Sequence, residues 1–311
     1  MRTMKASCGL AAALLLACAA SSANALAMRT WVSGAVGNDA NPCSRTAPCQ
    51  SFEATLAKTE AGGEISVLDP GGYGTVTINK SITINGTPGS GYGSTLGWDF
   101  GIVIDLPASD PFKTVRLNWL DISGQHKSKH GIRILNSQPP GVSVVIENTN
   151  VDGFTSEGIR DDRTAGGKIT IANTVVRHTG LYGILLSASA KNKLQATLSN
   201  VRVHNSGLAA LRVNGGAKAM VSNSVFSGSA TGIMSYEAGT AFVDGSTISG
   251  NTTGLTNDGV GVLWLSNSEV SFNDTDVAGP VESFSDNRFI SNGPGGSLNP
   301  IGQPSSPTGQ Q

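Results

Sequence analysis

Residues 200–207 read NVRVHNSG, and residues 267–274 read NSEVSFND. In both, an Asn stands three residues ahead of an apolar residue, and a second Asn follows shortly after it. The phrase recurs along the chain. Its apolar residue falls at Val151, Val176, Val203, Phe226, Ile248, Val270 and Phe289, and the position three before holds Asn148, Asn173, Asn200, Asn223, Gly245, Asn267 and Asp286. Successive copies lie 25, 27, 23, 22, 22 and 19 residues apart, the spacing of a solenoid coil and about half that of a propeller blade.

Two further columns keep step with the first. Ile159, Ile184, Leu211, Ile233, Leu255 and Val277 follow the anchors by seven or eight residues, mostly with Gly just before, as at Gly158, Gly183, Gly232 and Gly254. Ile146, Ile171, Leu198, Val221, Val243, Leu265 and Phe284 stand two residues before the Asn position. Each repeat therefore holds three short strands, and segments such as KITIAN and GVLWLSN alternate apolar with small or polar residues, as half-buried strands do. Three such strands per coil, stacked coil on coil, predict a parallel β-helix of about nine to eleven coils. A leucine-rich repeat has a similar period but needs a dense Leu consensus, which is absent. Asn148, Asn173, Asn200 and Asn223 read as scaffold, because stacked Asn amides bond one another and Asn tolerates the left-handed backbone of tight turns.

Composition agrees. The 311 residues are 39% hydrophobic, 14% charged and only 5% aromatic, so the core must be built from Ile, Val, Leu and Ala. The N-terminus has Arg2 and Lys5, an apolar run from about Cys8 to Ala20 and a small-x-small site at Ala25-Leu26-Ala27, which predicts a signal peptide over residues 1–27 and a secreted or periplasmic protein. Leu15-Leu16-Ala17-Cys18 offers an alternative, a lipoprotein box anchored through Cys18. The apolar run is too short to span a bilayer. Loss of Arg2 and Lys5 would leave 19 basic residues against 22 acidic ones, a balance that argues against nucleic acid as a partner. In an exported chain, Cys43 and Cys49 read as a disulfide closing a small loop.

Upstream, GGEISVLDPGGYGTVTINKSITING (residues 62–86) starts the same alternation, with Ile65, Val67, Val76, Ile78, Ile82 and Ile84 as core positions. Before it, SFEATLAKTEAGG predicts a short helix stopped by Gly62-Gly63. The organisation expected is an N-terminal cap over residues 28–62 with disulfide loop and capping helix, a β-helix over 63–292, and a flexible Gly/Pro/Ser/Gln tail over 293–311.

The stretch RTWVSGAVGNDANPCSRTAPCQSF (residues 29–52), followed by the segment at 62–86 and the Asn-rich coils, resembles the exported bacterial right-handed parallel β-helix repeat proteins of the pectin-lyase-like superfamily. The resemblance implies a right-handed coil. It also implies a polysaccharide or cell-surface partner, since the superfamily includes lyases and hydrolases of acidic polysaccharides, beside many members without an assigned reaction.

A lyase-like site needs carboxylates on adjacent coils to hold Ca²⁺ and a basic residue to take a proton. A hydrolase needs paired acids. The nearest approach is GIRDDRTAGG, which makes Arg160, Asp161 and Asp162 the catalytic candidates; its bland reading is a solvated turn whose charges pair with each other. No second coil offers a matching acid pair, so the sequence implies neither Ca²⁺ nor another cofactor. Of the histidines, His126 and His130 flank KSK in a polar loop, while His178 and His204 stand at different offsets from their anchors, so the four are expected to point in different directions and to hold no metal. The residue after each second-column position should face outward, giving Arg133, Arg160, Leu185, Arg212, Met234 and Thr256. Arg133, Arg160 and Arg212 thus form a basic stripe able to bind carboxylates or sulfates of a polysaccharide, unless each is neutralised by a neighbouring Asp161, Asp162 or Glu157. The function expected is carbohydrate-facing, binding and conceivably cleaving an acidic polysaccharide; the alternative is a non-catalytic surface or envelope protein offering a rigid face to other macromolecules.

Overall fold

The computed structural model describes residues 26–86, 93–95, 99–189, 191, 193–296 and 298–300. The expected leader and the Cys18 lipoprotein box fall almost wholly on residues 1–25, outside those described. Among the described residues no helix is long and apolar enough to cross a membrane.

Among the described residues the strands stack into three parallel sheets of 12, 10 and 9 strands, called first, second and third in the order the chain visits them within a coil. The first runs from Ala27–Val32 to Leu298–Pro300, the second from Gly71–Gly72 to Arg288–Ile290, and the third from Val76–Ile78 to Thr275–Ala278. The architecture is a right-handed parallel β-helix. The repeat columns set its register: Ile146, Ile171 and Leu198 pair in the first sheet, Val151, Val176 and Val203 in the second, and Ile159, Ile184 and Leu211 in the third. All nine are fully buried in one continuous core. The column slips at the last coil, where Ser283, not Phe284, pairs with Leu265. Phe284 packs instead edge-on against Phe242, ring centroids 6.1 Å apart.

The glycine before each third-sheet anchor has a steric cause. A Cβ at Gly158 or Gly183 would lie 2.4 or 2.2 Å from the Cγ1 of Val176 or Val203, so the corner closes only around a bare backbone.

Turns between the first and second sheets carry the Asn ladder. Asn148, Asn173, Asn200 and Asn223 have left-handed φ of 49–51°. Asn200 donates to Asn173 (2.8 Å) and Asn173 to Asn148 (3.2 Å), and the chain of amides continues through Asn118 to Asn85. A second ladder at the end of the second sheet joins the buried Asn251 and Asn273 to each other and Asn273 to the half-buried Asn292, each at 3.0 Å.

At the N-terminal end, the helix Phe52–Lys58 begins at the N-cap Ser51 but stops before the glycines. Thr59 ends it because its hydroxyl is bonded to Thr55 O and Thr30 Oγ1, both at 2.7 Å, which draws the chain into the strand Thr59–Val67; Gly62 and Gly63 lie inside that strand. Cys43 and Cys49 are disulfide-bonded and fully buried. The strand Ala27–Val32 pairs with Thr59–Val67, so the cap is joined to the first sheet as its edge. At the other end, Leu298–Pro300 adds a strand to Val281–Ser283. The start of the expected loose tail is thus ordered, since that edge offers backbone groups for one more strand.

Candidate functional site

The outer face of the third sheet gathers most of the candidate residues. Val103, Arg133, Arg160, Leu185, Arg212, Met234 and Thr256 pair in unbroken register across seven strands, so the expected stripe exists as one column along the axis. Adjacent members are one inter-strand spacing apart, about 4.8 Å.

Beside it, three residues before each member of the stripe, stand Phe100, His130, Glu157, Tyr182 and Ala209, all but Glu157 opening a strand. His130 stacks on Phe100 with centroids 5.4 Å apart, and the Arg133 guanidinium lies 5.5 Å over the same ring. Glu157 Oε2 is 2.5 Å from His130 Nδ1, and its Oε1 is 3.4 Å from Arg160 Nη1. Only 3% of the Glu157 side chain is exposed, and 9% of His130. Burial pushes the Glu157 carboxyl up, but the hydrogen bonds from His130 and Ser156 and the charges of His130 and Arg160 outweigh it and hold the group below the usual Glu range.

Asp162 closes the cluster. Its Oδ2 takes Arg160 Nε at 2.9 Å and lies 3.8 Å from Arg133 Nη2, whereas its buried Oδ1 has no hydrogen-bond partner, and neither has Arg133 Nε. Two arginines of the stripe are thus partly neutralised by acids. Arg212 differs: it makes no ion pair among the described residues and sits between Tyr182 and Tyr236, 5.2 and 5.4 Å from their centroids. Tyr182, Leu185, Ala209 and Met234 form a small buried apolar cluster on this outer face, separate from the core.

Asp161 does not belong to the face. It points inward, fully buried, and makes a bidentate pair with Arg163 at 2.8 and 2.6 Å; Arg163 also donates to the carbonyls of Val142 and Lys168. No substrate could reach it, and the turn read as solvated holds a buried ion pair. The strand ends at Asp161, so its alternation puts Arg160 out and Asp161 in. The histidines also depart from expectation. His126 and His178 come together at the corner after the second sheet, ring centroids 6.3 Å apart, while His130 joins the third-sheet face.

The model of the right-handed β-helix region family matches residues 162–299. A pectate lyase, Pel9A, shares 13% identity over 91% of this chain and 81% of its own, with a TM-score of 0.51. The A-module of the mannuronan C-5 epimerase AlgE4 from Azotobacter vinelandii shares 12% identity over 80% of this chain and 90% of its own, with a TM-score of 0.53. These likenesses show a shared fold, the right-handed parallel β-helix. No curated protein matches the chain significantly in sequence. On this scaffold no three His, Cys, Asp or Glu side chains converge to hold a metal ion among the described residues.

His130, Phe100 and Tyr182 were not legible as site residues, and Glu157 was legible only as a neighbour able to neutralise an arginine. Strict alternation puts the residue two before an inward anchor inside, but the corner glycines Gly131, Gly158 and Gly183 turn the chain so that it meets the outer arginines. A repeat alignment that follows the glycine column instead of alternation would have found them.

Proposed function

We propose that the outer face of the third sheet binds an acidic polysaccharide laid along the helix axis. The carrying observation is Arg212, a guanidinium clamped between two tyrosines without a carboxylate of its own, in one column with Arg133 and Arg160. A uronate carboxylate can take such a guanidinium bidentately, while the partly exposed ring of Tyr236 offers apolar area to a sugar and the buried Tyr182 ring packs against the guanidinium. Arg133 and Arg160 would exchange Asp162 and Glu157 for ligand carboxylates at neighbouring sugars. The pectate lyase and mannuronan epimerase that share the fold are named for polysaccharides, which agrees with this reading. The buried Cys43–Cys49 disulfide agrees with an oxidising compartment, hence with secretion or a periplasmic location.

Affinity electrophoresis and a glycan array on the chain test it. Arg212→Gln, and Arg133→Gln with Arg160→Gln, should each weaken retention of the bound polymer at least tenfold in protein whose circular dichroism shows the fold retained, and salt should weaken the unsubstituted protein's binding. Retention unmoved by these changes would defeat the proposal; an array without any acidic glycan bound would favour the non-catalytic surface protein.

Cleavage is a second reading, favoured by the desolvated, ionised Glu157 against His130 Nδ1 beside the unpartnered Asp162 Oδ1. Glu157→Gln or Asp162→Asn should then end turnover while leaving most of the binding.

A further inference from the structure

We propose that His126 and His178 form a two-histidine site for a divalent transition-metal ion, separate from the arginine face. They line a groove of about 550 Å³ at the corner after the second sheet, together with Thr155, Thr179, Asn205 and Ser206. His126 and His178 stand two coils apart, both in left-handed backbone, with φ of 56° and 52°. The coil between them places Gly153 at that corner, itself left-handed at 74°. A Cβ there would make only ordinary contact with His126 Cε1, at 3.7 Å, and the two rings approach edge to face, centroids 6.3 Å apart at 62°.

The second observation is the carboxylate behind His178. Asp152 Oδ1 lies 2.8 Å from His178 Nδ1, and Asp152 Oδ2 takes Arg177 Nε at 3.1 Å. A carboxylate on Nδ1 of a neutral imidazole makes that nitrogen the donor and leaves the Nε2 lone pair for a metal, the arrangement that orients and strengthens histidine ligands. Arg177 adds positive charge, which Asp152 balances directly. Imidazole pairs suit Zn²⁺, Ni²⁺ and Cu²⁺ better than Ca²⁺, and with no third ligand among the described residues the remaining positions fall to water or to an oxygen of a molecule in the groove.

Calorimetric titration of the whole chain with Zn²⁺ and with Ni²⁺ tests this. Asn is the informative replacement, because Asn205 pairs in register with His178 one coil on and holds the same backbone at φ 56°. One ion should bind per chain. His126→Asn and His178→Asn should each weaken binding at least tenfold, Asp152→Asn should weaken it about 10- to 100-fold, and His204→Asn should leave it unchanged. Binding should also shift the ring resonances of His126 and His178 and no others. Absence of binding, binding indifferent to the His126 and His178 changes or to Asp152→Asn, or equal loss in His204→Asn would each overturn the site.

Discussion

At the scale of single residues, the most consequential pair is Asp161 with Arg163, neither of which has exposed side-chain area. Arg163 is also a staple between coils, donating to Val142 O at 2.7 Å and Lys168 O at 3.1 Å. Removing one member leaves a buried charge without its counter-ion, whereas replacing both by apolar residues removes the desolvation cost as well. Arg163→Met is therefore expected to lower stability by about 3–5 kcal/mol. Asp161→Leu combined with Arg163→Met should recover part of that loss, the remainder reporting the two carbonyls left unpaired. Denaturant melts of the three variants check this, and a double variant worse than Arg163→Met would contradict it. Because Asp161 is inside, a loss of turnover in Asp161→Asn would have to accompany a loss of fold.

At the scale of strands and columns, the sequence was legible where a residue faces the core. The core must repeat once per coil, so unequal loops cannot hide it, and the inward residues were readable from period and alternation up to the last coil, where Ser283 stands in the place read for Phe284. Leu198→Asp should accordingly abolish the cooperative thermal transition, whereas Thr197→Asp, at the exposed neighbouring position, should change the melting temperature by only a few degrees. Lateral neighbours on the outer face were less legible, because which residue of one coil meets which of the next depends on corners that the glycines bend. The Asn251–Asn273–Asn292 ladder was half visible, as the second Asn of NSEVSFND, but its burial was not. Asn273 accepts from Asn251 N (2.9 Å) and Nδ2 (3.0 Å), and donates to Ile248 O (3.1 Å) and Asn292 Oδ1 (3.0 Å). Asn273→Ala should strand several buried polar groups and cost about 2–4 kcal/mol, measurable by chemical denaturation. A cost within 0.5 kcal/mol, roughly the scatter of surface changes, would show that the ladder is dispensable.

At the scale of the whole molecule, the two ends are held by different chemistry, and acid should separate them. The N-terminal cap and first coils rely on carboxylates that accept backbone N–H groups. Asp39 takes Gln50 N and Ser51 N, both at 2.8 Å; Asp69 takes Gly34 N at 2.6 Å; Asp110 takes Ser81 N at 2.6 Å and Lys113 N at 2.7 Å. Burial raises each of these groups, and the hydrogen bonds more than reverse it, so all three stand below the usual Asp range. A depressed folded pKa contributes stability that is complete above the unfolded value, about pH 4 for Asp, and is lost as pH falls from there through the folded value. The later coils tie the same kind of turn with Ser224, Ser246, Asn251 and Asn273, which do not titrate, and with Asp258 as an exception that shares the acid sensitivity. Hydrogen exchange at pH 7 should show Gly34, Ser51, Ser81 and Lys113 protected about as well as Ser224, Ser246 and Asn251, whose amide protons are likewise hydrogen-bonded. On lowering the pH from 5 to 2, after correction for intrinsic exchange, the first group should lose protection while the second keeps it. Cys43 and Cys49 hold the cap covalently, so reduction should shift the loss to higher pH by removing about 2–3 kcal/mol of loop constraint. Simultaneous loss at both ends, with or without the disulfide, would mean that the stack melts as one unit and that the carboxylate turns carry no separate share of its stability.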